Sequence, residues 1–350
     1  MMKKTFKKIL LGLILKLPRH WLKDIFPALI QRIQTGGNTF ISVKERPKQL
    51  EYSGRHDRNH HAFAIILQGP IMSTDDYTFH SVVLYLSAYP GAQLIVSTWE
   101  GETYKDLEQL NSDRLTILRN TYPQERGPNN INLQIISTVA GIQKAKELGC
   151  QYVLKSRTDQ RFYAKDVDIY FKQLQKLFPL DDQIKRILSE RLMVLNFTTL
   201  KYRPYGIGDM FMFGRTTDMF HYWDLPLNHA TLPDPEKRFS VMEHAKLRLG
   251  EVYILTEFLK KINHPVVWTL EATWEVYTRI FCIVDHSDVD LHWNKYDSWV
   301  EDRFEYYENN TFQIATFKDW VLSYNGLNVL ECASEETILN SEFGGNIKSG

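Results

Sequence analysis

Residues 64–70, AIILQGP, join a four-residue apolar run to an abrupt polar turn. A short apolar run that stops at Gly-Pro is typical of a strand buried on both faces. Further runs of this kind follow, and apolar residues at helical spacing occupy the intervals between them. This alternation predicts an α/β fold with a mostly parallel central sheet and helices on both faces. The predicted strands continue at 94–96, 115–118 and 151–154, with helices over 77–88, 103–110 and 131–148.

The second half of the chain has a less regular pattern. Its apolar runs predict strands at 193–195, 210–213, 265–268 and 280–284, and helices over 251–261 and 333–339. No firm boundary interrupts this region. We therefore expect one domain over residues 62–340, followed by a tail at 341–350.

Composition excludes several classes of protein. Of the 350 residues, 43% are apolar and 24% are charged, so the chain can fold around a substantial core. The 42 basic side chains equal the 42 acidic ones, which argues against nucleic acid as a partner. Cys150, Cys282 and Cys332 are far apart and show no zinc-ligand spacing. A reduced, cytoplasmic chain is the simplest interpretation.

The N-terminal segment is basic and amphipathic. Residues 1–34 carry eight basic side chains and one acidic side chain. The seven apolar residues at 9–15 are too few to cross a bilayer, which needs about 20 in a helix. With Trp21 and the flanking cations, residues 1–35 predict helices that lie on the inner-membrane surface as a peripheral anchor. Packing on the protein's own core is the alternative. Residues 36–61 are predicted to be a linker.

Polar residues follow the predicted strands at the edge where open α/β sheets bind ligands. The richest group, at 155–161, sets Lys155, Arg157 and Arg161 around one carboxylate, Asp159. Arginine forks hold phosphate oxygens, and a carboxylate holds Mg²⁺ or Mn²⁺. The group therefore predicts a diphosphate site, with a surface salt-bridge cluster as the alternative.

Three further side chains are candidates for chemistry. Asp209 follows two glycines and would act on an acceptor hydroxyl, although an ordinary turn before a strand gives the same pattern. Glu251 begins a helical run, where the helix dipole keeps a carboxylate ionised; helix-capping acids have the same position. His292 lies among several aspartates as a candidate metal ligand, or simply as a loop residue.

Four motifs follow one another along the chain: AIILQGPI at 64–71, LIVSTWEG at 94–101, VLKSRTDQR at 153–161 and GIGDMFMFG at 206–214, with NLQ and ST at 132–138 between them. Together they resemble the WavE family of lipopolysaccharide-synthesis proteins, over roughly residues 62–290. The resemblance implies a nucleotide-sugar-dependent glycosyltransferase with a single GT-A-type domain. That fold carries Asp-x-Asp after its fourth strand, and here Arg157-Thr158-Asp159 has the corresponding position. Because arginine replaces the first aspartate, both a metal-assisted and a metal-independent mechanism stay open.

The resemblance assigns roles to the candidate residues. Asp209 and Glu251 would face a saccharide or lipid-linked acceptor in bacterial lipopolysaccharide or capsule synthesis, one of them as general base. A sugar-phosphate transferase and a non-catalytic component of an assembly complex are the alternatives. Asp159→Asn is expected to abolish transfer without disturbing the fold. The donor nucleotide sugar would contact Gln68, Gly69, Pro70 and Thr98, and its diphosphate would contact Lys155, Arg157, Asp159 and Arg161.

Overall fold

The computed structural model divides the chain into two compact units, Met1–Lys48 and Gln49–Gly350. In the first unit it describes only Trp21, so the predicted N-terminal helices and linker lie outside the described residues. No helix among the residues described is both long and apolar enough to cross a membrane. The residues described in the second unit are 63–102, 104–110, 112–234, 236–294, 310–330 and 334–344.

A seven-stranded, mostly parallel sheet forms the centre of the second unit, in the order β3-β2-β1-β4-β7-β6-β8. Strands β1 to β4 are parallel, β7 runs antiparallel to β4 and β6, and β8 is parallel to β6. A separate antiparallel pair is formed by β5 and β9. The strands are β1 Phe63–Gln68, β2 Gln93–Trp99, β3 Leu115–Asn120, β4 Tyr152–Arg157, β5 Gln160–Phe162, β6 Leu192–Leu195, β7 Met212–Arg215, β8 Phe281–Val284 and β9 Leu291–Trp293.

Ten α-helices accompany these strands in the described part of the chain. The helix over 131–148 is confirmed as α3, and the helix over 251–261 is confirmed at both ends as α7. The helices are α1 Tyr77–Ala88, α2 Lys105–Glu108, α3 Ile131–Glu147, α4 Val167–Leu177, α5 Thr216–Trp223, α6 Val241–Lys246, α7 Glu251–Lys261, α8 Leu270–Ile280, α9 Phe317–Tyr324 and α10 Glu335–Asn340.

Strand β1 forms because its side chains can be buried on both faces. All six of its residues are buried, and it pairs in parallel with β2 on one side and β4 on the other. An apolar run is stable in such a position only when neighbouring elements cover both faces of the sheet. The α/β class and the parallel half of the sheet are therefore as the apolar runs predict.

The prediction of a strand at 265–268 is wrong. Residues 264–268 adopt no regular structure, and the backbone of Val267 bonds to a side chain rather than to another strand. The Tyr205 hydroxyl accepts the Val267 N–H at 3.0 Å and donates to its carbonyl at 2.6 Å. Because one hydroxyl satisfies both backbone groups, this apolar segment needs no strand partner.

The C-terminal region is more ordered than its sequence pattern predicts. Helix α9 was not predicted, although Thr316 and Asp319 form a capping box at its start. The predicted tail begins at 341, yet Glu342 bridges to Ser240 and the Phe343 N–H donates to the Phe239 carbonyl at 2.9 Å. The described part of this tail, residues 341–344, is therefore integrated into the domain.

Candidate active site

A cleft of about 730 Å³ opens at the carboxyl ends of the parallel strands. This is the edge at which open α/β sheets bind ligands, because the connections diverge there. The ends of β1 and β4 form its centre, and α7 begins at one side. Its border includes residues 68–72, Trp99, Tyr122, Arg126, 129–130, 133–134, 157–159, 209–210, 250–251 and Trp293.

The ends of β1 and β4 are joined by Thr158. Its N–H donates to the Gln68 carbonyl at 3.1 Å, and its hydroxyl donates to the Pro70 carbonyl at 2.6 Å. Gly69 has a φ of +120°, and a Cβ there would lie 3.1 Å from the Thr158 hydroxyl. The close approach of the two strand ends therefore favours glycine at this position. Gln68 accepts a hydrogen bond from the Ser137 hydroxyl at 2.8 Å, which fixes its amide.

Arg157 and Asp159 form a two-pronged ion pair in the cleft. The Arg157 Nε lies 2.8 Å from one carboxylate oxygen of Asp159, and Nη2 lies 3.0 Å from the other. Burial, the largest single effect, would raise the pKa of Asp159, but the hydrogen bonds and charge of Arg157, together with hydrogen bonds from Trp293 and the Asp159 backbone, lower it. The Arg157 guanidinium also lies 5.7 Å from the ring centre of Trp293. The arginine fork is therefore held in one orientation.

The predicted metal ligands fit a cation poorly. Both oxygens of Asp159 accept from Arg157, and the His292 Nδ1 lies 3.0 Å from the Tyr77 hydroxyl, away from the cleft border. In the described part of the chain, no three His, Cys, Asp or Glu side chains are grouped as a metal site would require. The divalent cation stays a prediction from the sequence, and no step below depends on one.

Two of the predicted diphosphate ligands lie away from the cleft border. The Lys155 side chain is fully buried, where its Nζ donates to the Asp209 carbonyl and lies 4.6 Å from the ring centre of Trp223. Arg161 is 3% exposed and donates to the Ser81 hydroxyl at 2.9 Å and the Tyr77 carbonyl at 2.7 Å. Both cations therefore have protein partners inside the domain.

Asp209 borders the cleft as a nearly buried carboxylate. It is 2% exposed, and its Oδ2 has no hydrogen-bond partner among the described residues. Burial raises its pKa above the ordinary value, the charges of Lys155 and Arg157 oppose that rise, and the charge of Glu251 adds to it. A carboxylate in this state is more basic than usual and has one oxygen available to accept a proton.

Glu251 borders the same cleft but already has a cationic partner. It is the first residue of α7, and its carboxylate pairs with the Arg203 guanidinium. The two side chains are 18% and 10% exposed, so water screens the pair only weakly. Of the two predicted acceptor-side carboxylates, Glu251 is therefore paired with Arg203, whereas Asp209 forms no ion pair with the described residues and has an unpartnered Oδ2.

The chain that forms this cleft at the carboxyl ends of its strands matches one protein family. A model described as WavE lipopolysaccharide synthesis matches residues 63–264, more than half of the 350 residues. The chain belongs to the WavE family. This match contains every residue named above at the cleft border except Trp293.

Other comparisons add little to the WavE assignment. No curated protein matches the chain. The crystal structure of mouse xyloside xylosyltransferase 1 in its apo form is similar at 11% identity and a TM-score of 0.33, over 66% of this chain and 97% of that one. A likeness of this extent carries no argument about fold or function.

Some residues of the WavE cleft were missed by the sequence patterns. Trp99 borders the cleft, whereas the predicted donor ligand Thr98 is fully buried and does not. Side chains alternate along a strand, so adjacent positions cannot both face the same ligand. Tyr122 and Arg126 also border the cleft. Because they follow β3, their position after a strand is the sequence feature that could have identified them.

Lys155 gives the stability of this WavE domain a measurable pH dependence. Burial lowers its pKa to about 7, while Asp209 and Asp159 raise it and Arg157 lowers it further. Between pH 7 and the ordinary 10.5, the folded protein therefore binds fewer protons than the unfolded chain, and the free energy of unfolding rises with pH. We expect this rise to be on the order of 1–3 kcal/mol between pH 7 and 9.

The variant Lys155→Met removes the titrating group while keeping a long apolar stem. Urea unfolding of both proteins at several pH values between 7 and 9 measures the rise. The slope should be flatter in Lys155→Met than in the wild type, and equal slopes would contradict the expectation.

Proposed function

We propose that this WavE chain is a glycosyltransferase that moves a sugar from a nucleotide-sugar donor to a saccharide acceptor. One observation carries the proposal: an arginine fixed by Asp159 at Arg157 and a buried carboxylate with an unpartnered oxygen at Asp209 border the same cleft. The Arg157 guanidinium has five N–H donors, of which Asp159 accepts two, and its charge suits the diphosphate that leaves. The Asp209 carboxylate suits the hydroxyl that attacks. Membership in a lipopolysaccharide-synthesis family supports a saccharide substrate.

The proposed reaction is a single displacement. The acceptor hydroxyl oxygen forms a new bond to the anomeric carbon of the donor sugar. The bond from that carbon to the diphosphate oxygen breaks, and its electron pair leaves with the nucleoside diphosphate. Asp209 takes the hydroxyl proton on Oδ2, and Arg157 stabilises the negative charge that develops on the leaving oxygen. Asp159 holds the Arg157 fork in position and is a positioning residue.

We further propose a GT-A-like arrangement, because the parallel strands β1 to β4 are followed by antiparallel β7 beside the cleft. The acceptor would be lipid-linked, in lipopolysaccharide or capsule synthesis. Residues 1–35 would then hold the enzyme at the cytoplasmic face of the inner membrane, because their basic amphipathic pattern suits an anionic surface.

A ligand screen followed by product analysis tests the proposed function. Thermal unfolding is measured with UDP-, GDP-, CMP- and dTDP-sugars, each with and without Mn²⁺. A donor present at 100 times its dissociation constant adds about 2.7 kcal/mol to the stability of the folded state, a visible shift. The selected donor is then incubated with lipid-linked saccharide acceptors, and the product mass should increase by one sugar.

Two outcomes of the screen contradict the proposal. A product that gains a sugar together with a phosphate identifies a sugar-phosphate transferase. The absence of both a thermal shift and donor hydrolysis for every nucleotide sugar identifies a non-catalytic component.

A further inference from the structure

A stacked aromatic pair forms one end of the cleft. The rings of Trp99 and Tyr122 lie 4.7 Å apart at an angle of 21°. Trp99 is 1% exposed and is the buried member of the pair, whereas Tyr122 is 43% exposed and is its exposed member. The Arg126 guanidinium lies 5.8 Å from the Tyr122 ring centre. All three side chains border the cleft, and none belongs to the reaction proposed above.

The loop that carries Tyr122 and Arg126 is anchored at several points. The Asn132 amide donates to the carbonyls of Glu125 at 3.0 Å and Asn228 at 2.9 Å. Gly127 has a φ of +68°, and a Cβ there would lie 2.8 Å from the Asn132 amide. Only glycine combines this backbone conformation with such close packing. Tyr122 and Arg126 are therefore presented by a fixed loop, and Trp99 by the end of β2.

Strand order decides which part of the donor reaches this pair. Arg157 ends β4, and Asp209 comes shortly before β7, on one side of β4 in the sheet. Trp99 ends β2, which lies two strands from β4 on the other side, at about 10 Å. With the diphosphate at Arg157 and the transferred sugar at Asp209, the opposite end of the donor extends toward Trp99. That end is the nucleoside.

Hydrogen-bonding groups border the same cleft as the pair. Asn129 and Asn130 border the cleft with φ values of 53° and 59°. Gln134 also borders it, and its Oε1 is buried without a hydrogen-bond partner in the part of the chain that the structure describes. Amide side chains offer both donors and acceptors, as the edge of a nucleobase does. A flat ring stacked on Tyr122 would lie among such groups.

We propose that Trp99, Tyr122 and Arg126 form a subsite that stacks the nucleobase of the donor. The inference rests on the proposed function, since it assumes a nucleotide donor whose sugar lies at Asp209. Stacking on an aromatic side chain tolerates different bases, so this subsite provides affinity, and the neighbouring amides select among bases.

Calorimetric titration of nucleoside diphosphate into wild type, Tyr122→Phe and Tyr122→Ala tests the subsite. Loss of one base–aromatic stack should raise the dissociation constant of Tyr122→Ala about 5- to 160-fold. Tyr122→Phe keeps the ring and should bind as the wild type does.

Tyr324→Ala is a matched control. Tyr324 is also a half-exposed tyrosine stacked on a buried tryptophan, Trp320, with ring centres 5.1 Å apart, but it does not border the cleft. Its removal should leave nucleotide affinity unchanged.

The outcomes separate this inference from the proposed function. If Tyr122→Ala keeps its nucleotide affinity and instead raises the acceptor KM, the pair binds the acceptor saccharide; the inference fails and the transferase remains. If wild type binds no nucleoside diphosphate and transfers no sugar, the proposed function fails, and the inference of a nucleobase subsite fails as well.

Discussion

Replacement of Asp209 by asparagine is expected to lower kcat for sugar transfer by about 10²- to 10⁴-fold, the usual contribution of a general base. Asparagine has the same shape, and the Oδ2 of Asp209 forms no hydrogen bond with the described residues that could be lost. Nucleotide binding should therefore persist, because Arg157 still holds the diphosphate. Initial rates of transfer and the nucleotide dissociation constant are the two measurements.

The pH profile of the wild type provides a second measure of the role of Asp209. Protonated Asp209 cannot accept a proton, so kcat falls as pH falls through its pKa. Burial raises that pKa above 3.8, with Glu251 adding to the rise and Lys155 and Arg157 opposing it. Tyr222 also faces Asp209 and stays neutral, since burial raises its own pKa. The acid limb should be missing from Asp209→Asn.

Asp218→Asn is the matched control for Asp209→Asn. Asp218 is 4% exposed, and burial raises its pKa too, but it accepts from the Ser189 and Glu190 N–H groups and does not border the cleft. Its substitution should lower thermal stability and leave kcat unchanged. An Asp209→Asn enzyme with wild-type kcat would remove Asp209 from the reaction.

Replacement of Arg157 by glutamine is expected to lower kcat by about 10²- to 10³-fold, as removal of a single charge-stabilising donor does in other active sites. In the proposed reaction its charge lies beside the diphosphate oxygen as the bond breaks, so the loss should be greatest in the transition state. Arg157→Lys keeps the charge and loses the fork, so it should fall between glutamine and wild type. Asp159→Asn should reduce kcat by releasing the fork from its fixed orientation.

A second arginine on the surface provides the comparison. Arg279 donates to Asp181 at 2.9 Å in a similar arginine–aspartate pair outside the cleft. Arg279→Gln should leave kcat unchanged. The test is steady-state kinetics with the selected donor for Arg157→Gln, Arg157→Lys, Asp159→Asn and Arg279→Gln. A wild-type kcat in Arg157→Gln would exclude an electrostatic role for Arg157.

The parallel half of the fold could be predicted from the sequence because each of its strands contains a short, mainly apolar run. Such a run needs no partner-specific pattern, so β1 to β4 are recognisable one at a time, although β3 is only half-buried. Elements whose conformation depends on tertiary contacts could not be predicted in this way. Helix α8 was not predicted, and the neighbouring segment at Val267 was assigned to a strand, although the Tyr205 hydroxyl bonds its backbone.

The candidate site shows the same division. Arg157, Asp159, Asp209 and Glu251 are recognisable from their positions beside strands and helix starts, and all border the cleft. Sequence also places Lys155 and Arg157 on one face of β4, since they are two residues apart. It cannot show that Lys155 is deeper in the sheet, where Trp223 covers it, while Arg157 reaches the open edge.

The α/β class, the presence of strands β1 to β4, the family and the carboxyl-end residues follow from local apolar runs and motifs in the sequence, whereas the sheet order β3-β2-β1-β4 does not. Tertiary structure alone decided which charges remain available. Asp159 forms an ion pair with Arg157, and Glu251 forms one with Arg203. The Oδ2 of Asp209 has no hydrogen-bond partner among the described residues. The reason is physical: the pKa and reactivity of a carboxylate depend on burial and on neighbouring charges that only folding brings together.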